Sequence, residues 1–200
     1  FVRDYTFKSA LSPLQQAGDL QRQHEMLRGV GLLFEEFLKD SPDDREIRED
    51  AGSAFHLLGI AANRLSLADE SLASFQRAEQ IFAGLKRDYP DDRSLEFDLF
   101  HTVFGQSGTI VEKDRKLELH DWCHRLIRRL HAAEPKNTDY KDALACVVVE
   151  LGYDHAIESD HRDLKRARQR CLESRQLVLE LAADPNCKPL HRKHLGTSAA

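Results

Sequence analysis

The sequence lacks long hydrophobic runs, closely spaced cysteines and any block of like charge. Its longest apolar stretches cover only a few residues, as at 143–149, so no segment of the sequence is long enough to cross a membrane. No signal-peptide pattern opens the chain, and because the chain begins at Phe1 rather than Met we expect it to be part of a longer protein. These features predict a cytoplasmic protein without a membrane partner.

The four cysteines are too widely spaced to indicate a metal-binding or redox motif. They are Cys123, Cys146, Cys171 and Cys187, and no two of them form a C-x-x-C pair. This spacing excludes a zinc ribbon and a thioredoxin-type motif. We therefore expect reduced thiols, as in most cytosolic proteins.

Positive and negative charges are interspersed along the chain. With 29 lysines and arginines against 34 aspartates and glutamates, the net charge is −5, so the strongly basic surface that nucleic acids attract is missing. The locally basic stretches 125–129 and 165–170 are interpreted as solvated helix faces, with an acidic partner as the alternative. Nucleic acid is therefore not an expected partner.

Motifs of enzymes and of cofactor sites are also missing. The sequence contains no nucleophile elbow with its acid and base partners, and no glycine-rich phosphate loop after a strand. The paired glycines at 29–31 and 105–108 fall within helical patterns, where close helix packing explains them. We predict no catalytic residue, no cofactor and no enzymatic activity.

His120 and His124 are the strongest candidates for a metal site. They lie four residues apart, with Cys123 beside them and His131 two turns further on, and two histidines on one helix face can begin a zinc or nickel site. Such a site needs further ligands in matching geometry. Ordinary helix histidines are the favoured interpretation, so no metal is predicted, and a metal-dependent enzyme stays as an alternative.

What the sequence does contain is a helical hydrophobic pattern, clearest between Arg45 and Asp88. Apolar and small residues recur at the spacing of one helix face in both halves of this range. They are Ala51, Phe55, Leu58, Gly59 and Ala62 in the first half, and Leu72, Phe75, Ala78, Ile81, Phe82 and Leu85 in the second. Two such helices joined by a short turn can bury their apolar faces against each other as an antiparallel hairpin.

Four prolines divide the chain into segments of similar length. Pro42, Pro90, Pro135 and Pro185 are separated by 48, 45 and 50 residues, and each follows one helical pattern and precedes another, as expected of a residue that cannot continue a helix. Regular spacing of this kind indicates a repeat. The predicted elements are an outgoing helix at 19–39, hairpins at 45–88, 94–133 and 138–183, and a partial helix at 188–196, within a single domain at 1–200.

These segments resemble the tetratricopeptide repeat (TPR). The matching positions in the best copy are Phe55, Leu58, Gly59, Ala62, Ser71, Phe75, Ala78 and Pro90. Pro90 follows about seven residues later than in the 34-residue repeat. Both helices of the hairpin are then longer than those of the 34-residue repeat. A repeat of this length resembles the repeats of about 42 residues in kinesin light chains and in the tails that follow the kinase domain of bacterial serine/threonine kinases.

The resemblance implies an all-α fold, a right-handed solenoid of antiparallel helix hairpins whose concave face holds a peptide or partner protein. The family's groove positions correspond here to His56, Asn63 and Arg64 in the first hairpin, Thr102, Gln106 and Thr109 in the second, and Val149 and Tyr153 in the third. The expected function is that of a non-catalytic interaction scaffold, with the C-terminal region of a bacterial serine/threonine kinase as a specific form of it.

Two alternatives to this interpretation stay open. Another solenoid of helical hairpins, such as a HEAT-like or fourteen-three-three-like array, would show the same periodicity. In addition, hairpins at the ends of the array could stack on another copy of the chain. In that case the protein would be a structural self-association module that forms a homo-oligomer.

Overall fold

The computed structural model describes residues 19–158 and 163–185, and all regular secondary structure in these ranges is helical. The α-helices are α1 (Leu20–Asp40), α2 (Arg45–Arg64), α3 (Ala68–Asp88), α4 (Arg93–Ser107), α5 (Lys113–Ala133), α6 (Thr138–Tyr153) and α7 (Leu164–Ala183). The predicted all-α class is therefore confirmed. The partial helix predicted at 188–196 lies outside the described residues. Within those ranges, no helix combines the length and the apolar character needed to span a membrane.

The chain forms two compact units, Phe1–Thr109 and Ile110–Ala200. The sequence was interpreted as a single domain, and its second predicted hairpin, 94–133, contains the division: α4 belongs to the first unit and α5 to the second.

Aspartate side chains cap the N-termini of several helices. The Oδ1 atoms of Asp19, Asp44 and Asp163 accept hydrogen bonds from backbone N–H groups three residues ahead, at 2.9–3.0 Å, and Asp92 accepts from Ser94. A carboxylate at this position satisfies an N–H group that the helix itself cannot, and it also interacts favourably with the helix dipole. The acidic residues that follow Pro42 and Pro90 therefore have a structural role.

In the first unit, α2 and α3 form an antiparallel pair. A methyl group at Gly59 would lie 2.9 Å from the Phe75 ring, and one at Gly52 would lie 2.7 Å from the Phe82 ring. Further towards the start of α2, Arg48 donates to Asp88 at 2.6 Å. Residues nearer the start of α2 therefore contact residues nearer the end of α3, as expected of an antiparallel pair. The small residues let the two helix backbones approach closely.

The outer helices of this unit continue the alternation. Arg77 of α3 donates two hydrogen bonds to Glu35 of α1, at 2.7 and 2.9 Å, and Glu70 lies 3.2 Å from His24, so α1 and α3 run parallel on one side of α2. Helix α3 also packs against α4: Lys86 contacts Glu96 at 2.7 Å and Phe75 lies against Gly105, so α4 is antiparallel to α3. Consequently α2 and α4 run parallel and in contact.

Within residues 110–158 and 163–185, the second unit contains the three α-helices α5, α6 and α7. Lys141 contacts Glu180 at 3.4 Å, and Ser174 Oγ donates to the carbonyl of Ala145 at 3.3 Å, so α6 and α7 are antiparallel. Helix α6 continues into one π-helical turn, Asp154–Glu158. Asp154 contacts His120 of α5, which connects that turn to the first helix of the unit.

Candidate functional site

Five of the six predicted site residues of the first unit lie on the two parallel helices α2 and α4, and Thr109 follows the C-terminal end of α4. Thr102 Oγ1 is 3.4 Å from His56 Nδ1, which places the middle of α4 against the middle of α2. The His56 ring also lies edge-on to the Phe75 ring, with 5.7 Å between ring centroids. Burial lowers the pKa of His56 from 6.5 to about 4, with nearby His101 contributing in the same direction. This imidazole is therefore neutral near pH 7.

Thr102 and Gln106 are buried and hydrogen-bonded within the first unit. The Thr102 hydroxyl donates to the carbonyl of Asp98 at 2.9 Å, and the Gln106 amide donates to Glu79 of α3 at 3.4 Å. Thr109, half-buried, donates to the carbonyl of Gln106 at 2.8 Å. These three side chains therefore hold α4 and its C-terminal end in place, and Thr102 and Gln106 offer little surface to a ligand.

Asn63 and Arg64 are exposed at the C-terminal end of α2. The Asn63 Nδ2 atom would lie 3.7 Å from a methyl group at Gly108, so the ends of α2 and α4 are neighbours. The structure thus brings His56 and Thr102 together in one contact, and Asn63 close to the end of α4 in another. Arg64 provides the exposed positive charge beside the second contact.

An aromatic cluster on α4 was missed by the sequence interpretation. The Phe97 and His101 rings have centroids 4.4 Å apart, and Phe100 stacks on both Phe97 and Phe104 at 6.0 and 5.6 Å. Phe97 and Phe104 are half-buried and His101 is exposed. The close spacing of these four residues along one helix was the available signal in the sequence.

In the second unit, Val149 and Tyr153 are exposed on one face of α6. Their exposed fractions are 45% and 46%, large for an apolar and an aromatic side chain, and the four-residue spacing puts them on adjacent turns. Lys116 Nζ of α5 lies 5.8 Å from the centroid of the Tyr153 ring, over its face. Val149 and Tyr153 therefore form an apolar and aromatic surface, with the Lys116 ammonium group beside it.

His120 and His124 contact different partners. His120 Nδ1 lies 2.6 Å from Asp154 Oδ2, with both side chains buried, whereas His124 Nε2 lies 3.4 Å from Arg170 and 4.0 Å from Glu173. Burial, assisted by Arg170, lowers the pKa of His124. Across residues 19–158 and 163–185, no three His, Cys, Asp or Glu side chains are grouped so that they could hold a metal ion.

The described cysteines, Cys123, Cys146 and Cys171, form no disulfide bond with one another. Burial raises the pKa of the Cys146 thiol to about 12, and the carboxylates of Asp142 and Glu150 add to the shift. A thiolate is the nucleophilic form of cysteine. Cys146 is therefore an unreactive thiol at neutral pH.

Comparisons of the chain with protein-family models, with curated proteins and with solved structures found no match.

Proposed function

We propose that the chain is a non-catalytic interaction scaffold, a right-handed TPR-like solenoid that binds a peptide or partner protein. The observation that carries this proposal is that α2 and α4 are parallel and pack side by side. Helix α3, which comes between them in the sequence, is antiparallel to both. In a TPR-like array the incoming helices of successive hairpins line the concave face. Helices α2 and α4 correspond to two such incoming helices.

The side chains on α2 and α4 suit recognition of an extended peptide. Asn63 and Arg64 supply exposed donors for backbone carbonyls or a carboxylate, while Phe97 and His101 supply an aromatic surface. Aromatic residues and arginine are the side chains that contribute most to protein interfaces. We therefore place the main contacts of the first unit at these four residues, with His56, Thr102, Gln106 and Thr109 supporting them.

Val149 and Tyr153 provide a second contact surface of the same kind in the second unit. Their exposure on adjacent turns of α6 and the neighbouring Lys116 favour an apolar or aromatic side chain of the partner. The resemblance to bacterial kinase tails extends the proposal: the chain would follow a kinase domain in the cytoplasm and recruit its substrates. Sequencing the gene upstream of Phe1 tests that extension.

A peptide-display selection on the intact chain tests the scaffold proposal. Peptides selected on the native chain should bind at least tenfold more weakly to Arg64→Ala or Tyr153→Ala, since truncating an interface arginine or tyrosine commonly costs more than 1 kcal/mol. Binding by the double variant should be lost. The exposed Lys39→Ala on α1 is the matched control and should bind normally, and unchanged binding by the double variant would remove these residues from the site.

A second candidate, self-association, is favoured by an apolar face on α1. Leu32, Leu33 and Phe37 are 67%, 52% and 41% exposed, and Leu33 and Phe37 lie one turn apart. A second copy of this face would bury them in a symmetric helix pair. Sedimentation should then show a mass that rises with concentration in the native chain and not in Leu33→Glu, and a concentration-independent monomer would eliminate this candidate.

A further inference from the structure

A hollow of about 280 Å³ opens in the first unit among α1, α2 and α3. It lies away from the α2/α4 contacts, and it is lined by three arginines, Arg48, Arg77 and Arg87, together with apolar groups of Leu38 and Ile81. Gly84 forms part of its wall.

Two of the three arginines converge on one point. A methyl group at Gly84 would lie 3.0 Å from Arg48 Nη2 and 3.9 Å from Arg87 Nη2. Both cationic groups therefore lie within 4 Å of the same position, although like charges repel. Carboxylates offset part of this charge, since Asp88 pairs with Arg48 and Glu35 pairs with Arg77.

At the hollow, arginines outnumber the carboxylates that pair with them. Three guanidinium groups line it, and Glu35 and Asp88 are the carboxylates that pair with them. An anion placed over Gly84 would meet Arg48 and Arg87 together, with Arg77 on the same helix face as Arg87 and Gly84. Guanidinium groups bind phosphate well because their planar N–H donors match its oxygens in pairs.

Gly84 has no conformational reason to be a glycine. It lies inside α3 with helical backbone, where glycine costs about 1 kcal/mol relative to alanine. Its missing side chain leaves room for the Arg48 guanidinium, which is 3.0 Å from the position of a methyl carbon. The glycine therefore lets the Arg48 guanidinium lie directly against α3, beside Arg87.

We propose that this hollow binds a phosphomonoester, namely a phosphorylated side chain of a partner protein. The dianionic phosphate would accept hydrogen bonds from Arg48 and Arg87, and the apolar stem of the side chain would pack against Leu38 and Ile81. A carboxylate carries one negative charge instead of nearly two and offers fewer acceptor oxygens. The site therefore favours the phosphorylated side chain. This inference does not depend on the α2/α4 surface.

Titration of the intact chain with inorganic phosphate and with N-acetyl-phosphotyrosine amide tests the proposal. Both probes should bind, the phosphotyrosine amide more tightly because of its apolar stem, and N-acetyl-tyrosine amide should not. Arg87→Gln should weaken binding at least tenfold, since it removes a charge-assisted donor pair, and Arg87→Lys should retain an intermediate affinity. Calorimetry or backbone amide shifts at residue 84 give the readout.

Gly84→Ala separates binding from folding. The added methyl group displaces the Arg48 guanidinium but favours the helix, so the variant should be folded and should lose affinity for both probes. Arg22→Ala, at an exposed arginine of α1 that does not line the hollow, is the control that should bind both probes normally. The proposal is overturned if neither probe binds the native chain, or if Arg87→Gln and Gly84→Ala bind as tightly as the native chain does.

Discussion

At the residue scale, the Phe75 ring is held between two glycines on different helices. Methyl groups at Gly59 of α2 and Gly105 of α4 would lie 2.9 and 2.7 Å from its carbons, closer than van der Waals contact. We expect Gly59→Ala to lower the free energy of unfolding by about 2 kcal/mol, because the strain of overpacking exceeds the roughly 1 kcal/mol that alanine contributes to a helix. Urea unfolding followed by circular dichroism measures the change.

Gly29→Ala is the matched control for that prediction. No atom lies within 4 Å of a methyl group at Gly29 on α1, so the substitution should raise the free energy of unfolding by about 0.5–1 kcal/mol through helix propensity alone. Equal stabilisation by Gly59→Ala and Gly29→Ala would contradict the close packing of α2 on Phe75.

His56 makes the stability of the first unit depend on pH. Burial, helped by His101, lowers its pKa from 6.5 to about 4, so the unfolded chain binds a proton before the folded chain does. The stability is complete above the unfolded pKa and falls as the pH drops from 6.5 towards 4. Between about pH 7.5 and about pH 5 we expect a loss of about 2 kcal/mol attributable to this residue.

The measurement compares the native chain with His56→Gln over the same pH range. Other histidines and the carboxylates titrate in both proteins, so their contributions cancel in the difference. The stability gap between the two proteins should narrow as the pH falls. A gap that stays constant from about pH 7.5 to about pH 5 would show that His56 titrates normally.

At the scale of single elements, the turn between α2 and α3 carries a left-handed residue. Ser66 has φ of 59°, and its N–H donates to the carbonyl of Asn63 while that of Leu67 donates to the carbonyl of Ala62. This is the Schellman arrangement, in which glycine is the preferred residue. We expect Ser66→Gly to stabilise the chain by about 0.5–1 kcal/mol, the relief of left-handed strain being partly offset by unfolded-state entropy.

Ser41, at the end of α1, is the control for this substitution. Its φ is −140°, which needs no glycine, so Ser41→Gly should give no stabilisation. Thermal unfolding of both variants against the native chain provides the test. A lower unfolding temperature for Ser66→Gly than for the native chain would mean that the serine side chain stabilises the turn.

The sequence predicts some elements of this chain better than others. The apolar stripes around Phe75 and Phe82 repeat at the helical period, and the all-helical class follows from them. The sequence of α4 does not show which of its faces is buried, because apolar residues occur on every side of the helix. Leu95, Phe100 and Val103 are buried, and others are half-buried. A helix that is apolar on every side does not reveal which face meets its neighbours. The resemblance to the repeat family assigned Thr102 and Gln106 to a groove, and the structure buries both side chains.

The π-helical turn Asp154–Glu158 could not be predicted from the sequence either. Its position depends on the buried contact between Asp154 and His120, two residues that are far apart in the sequence. Polar residues of this kind are interpreted as solvated side chains, because a buried contact between two of them leaves no periodic signal in the sequence. The contact between His56 and Thr102 could not be predicted from the sequence, although both residues were named as candidate site residues.

At the scale of the whole molecule, the link between the two units is an exposed non-helical segment. Gly108 caps α4 and Lys113 begins α5, and Val111 between them is 95% exposed. Proteases cleave exposed extended segments far faster than helices, and elastase prefers small apolar residues at the cleaved bond. Within residues 19–158, we expect the first elastase cut to follow Val111.

Intact mass spectrometry after brief digestion should therefore detect new termini at Val111 and Glu112. Val111→Asp should delay this cut, because elastase does not accept an acidic side chain in its small apolar pocket, while the backbone exposure of the segment is unchanged. Leu67, 40% exposed in the tight turn between α2 and α3, provides an internal comparison and should be cut later. An earlier cut at Leu67 than at Val111 would mean that the α2–α3 turn opens more readily than the link between the units.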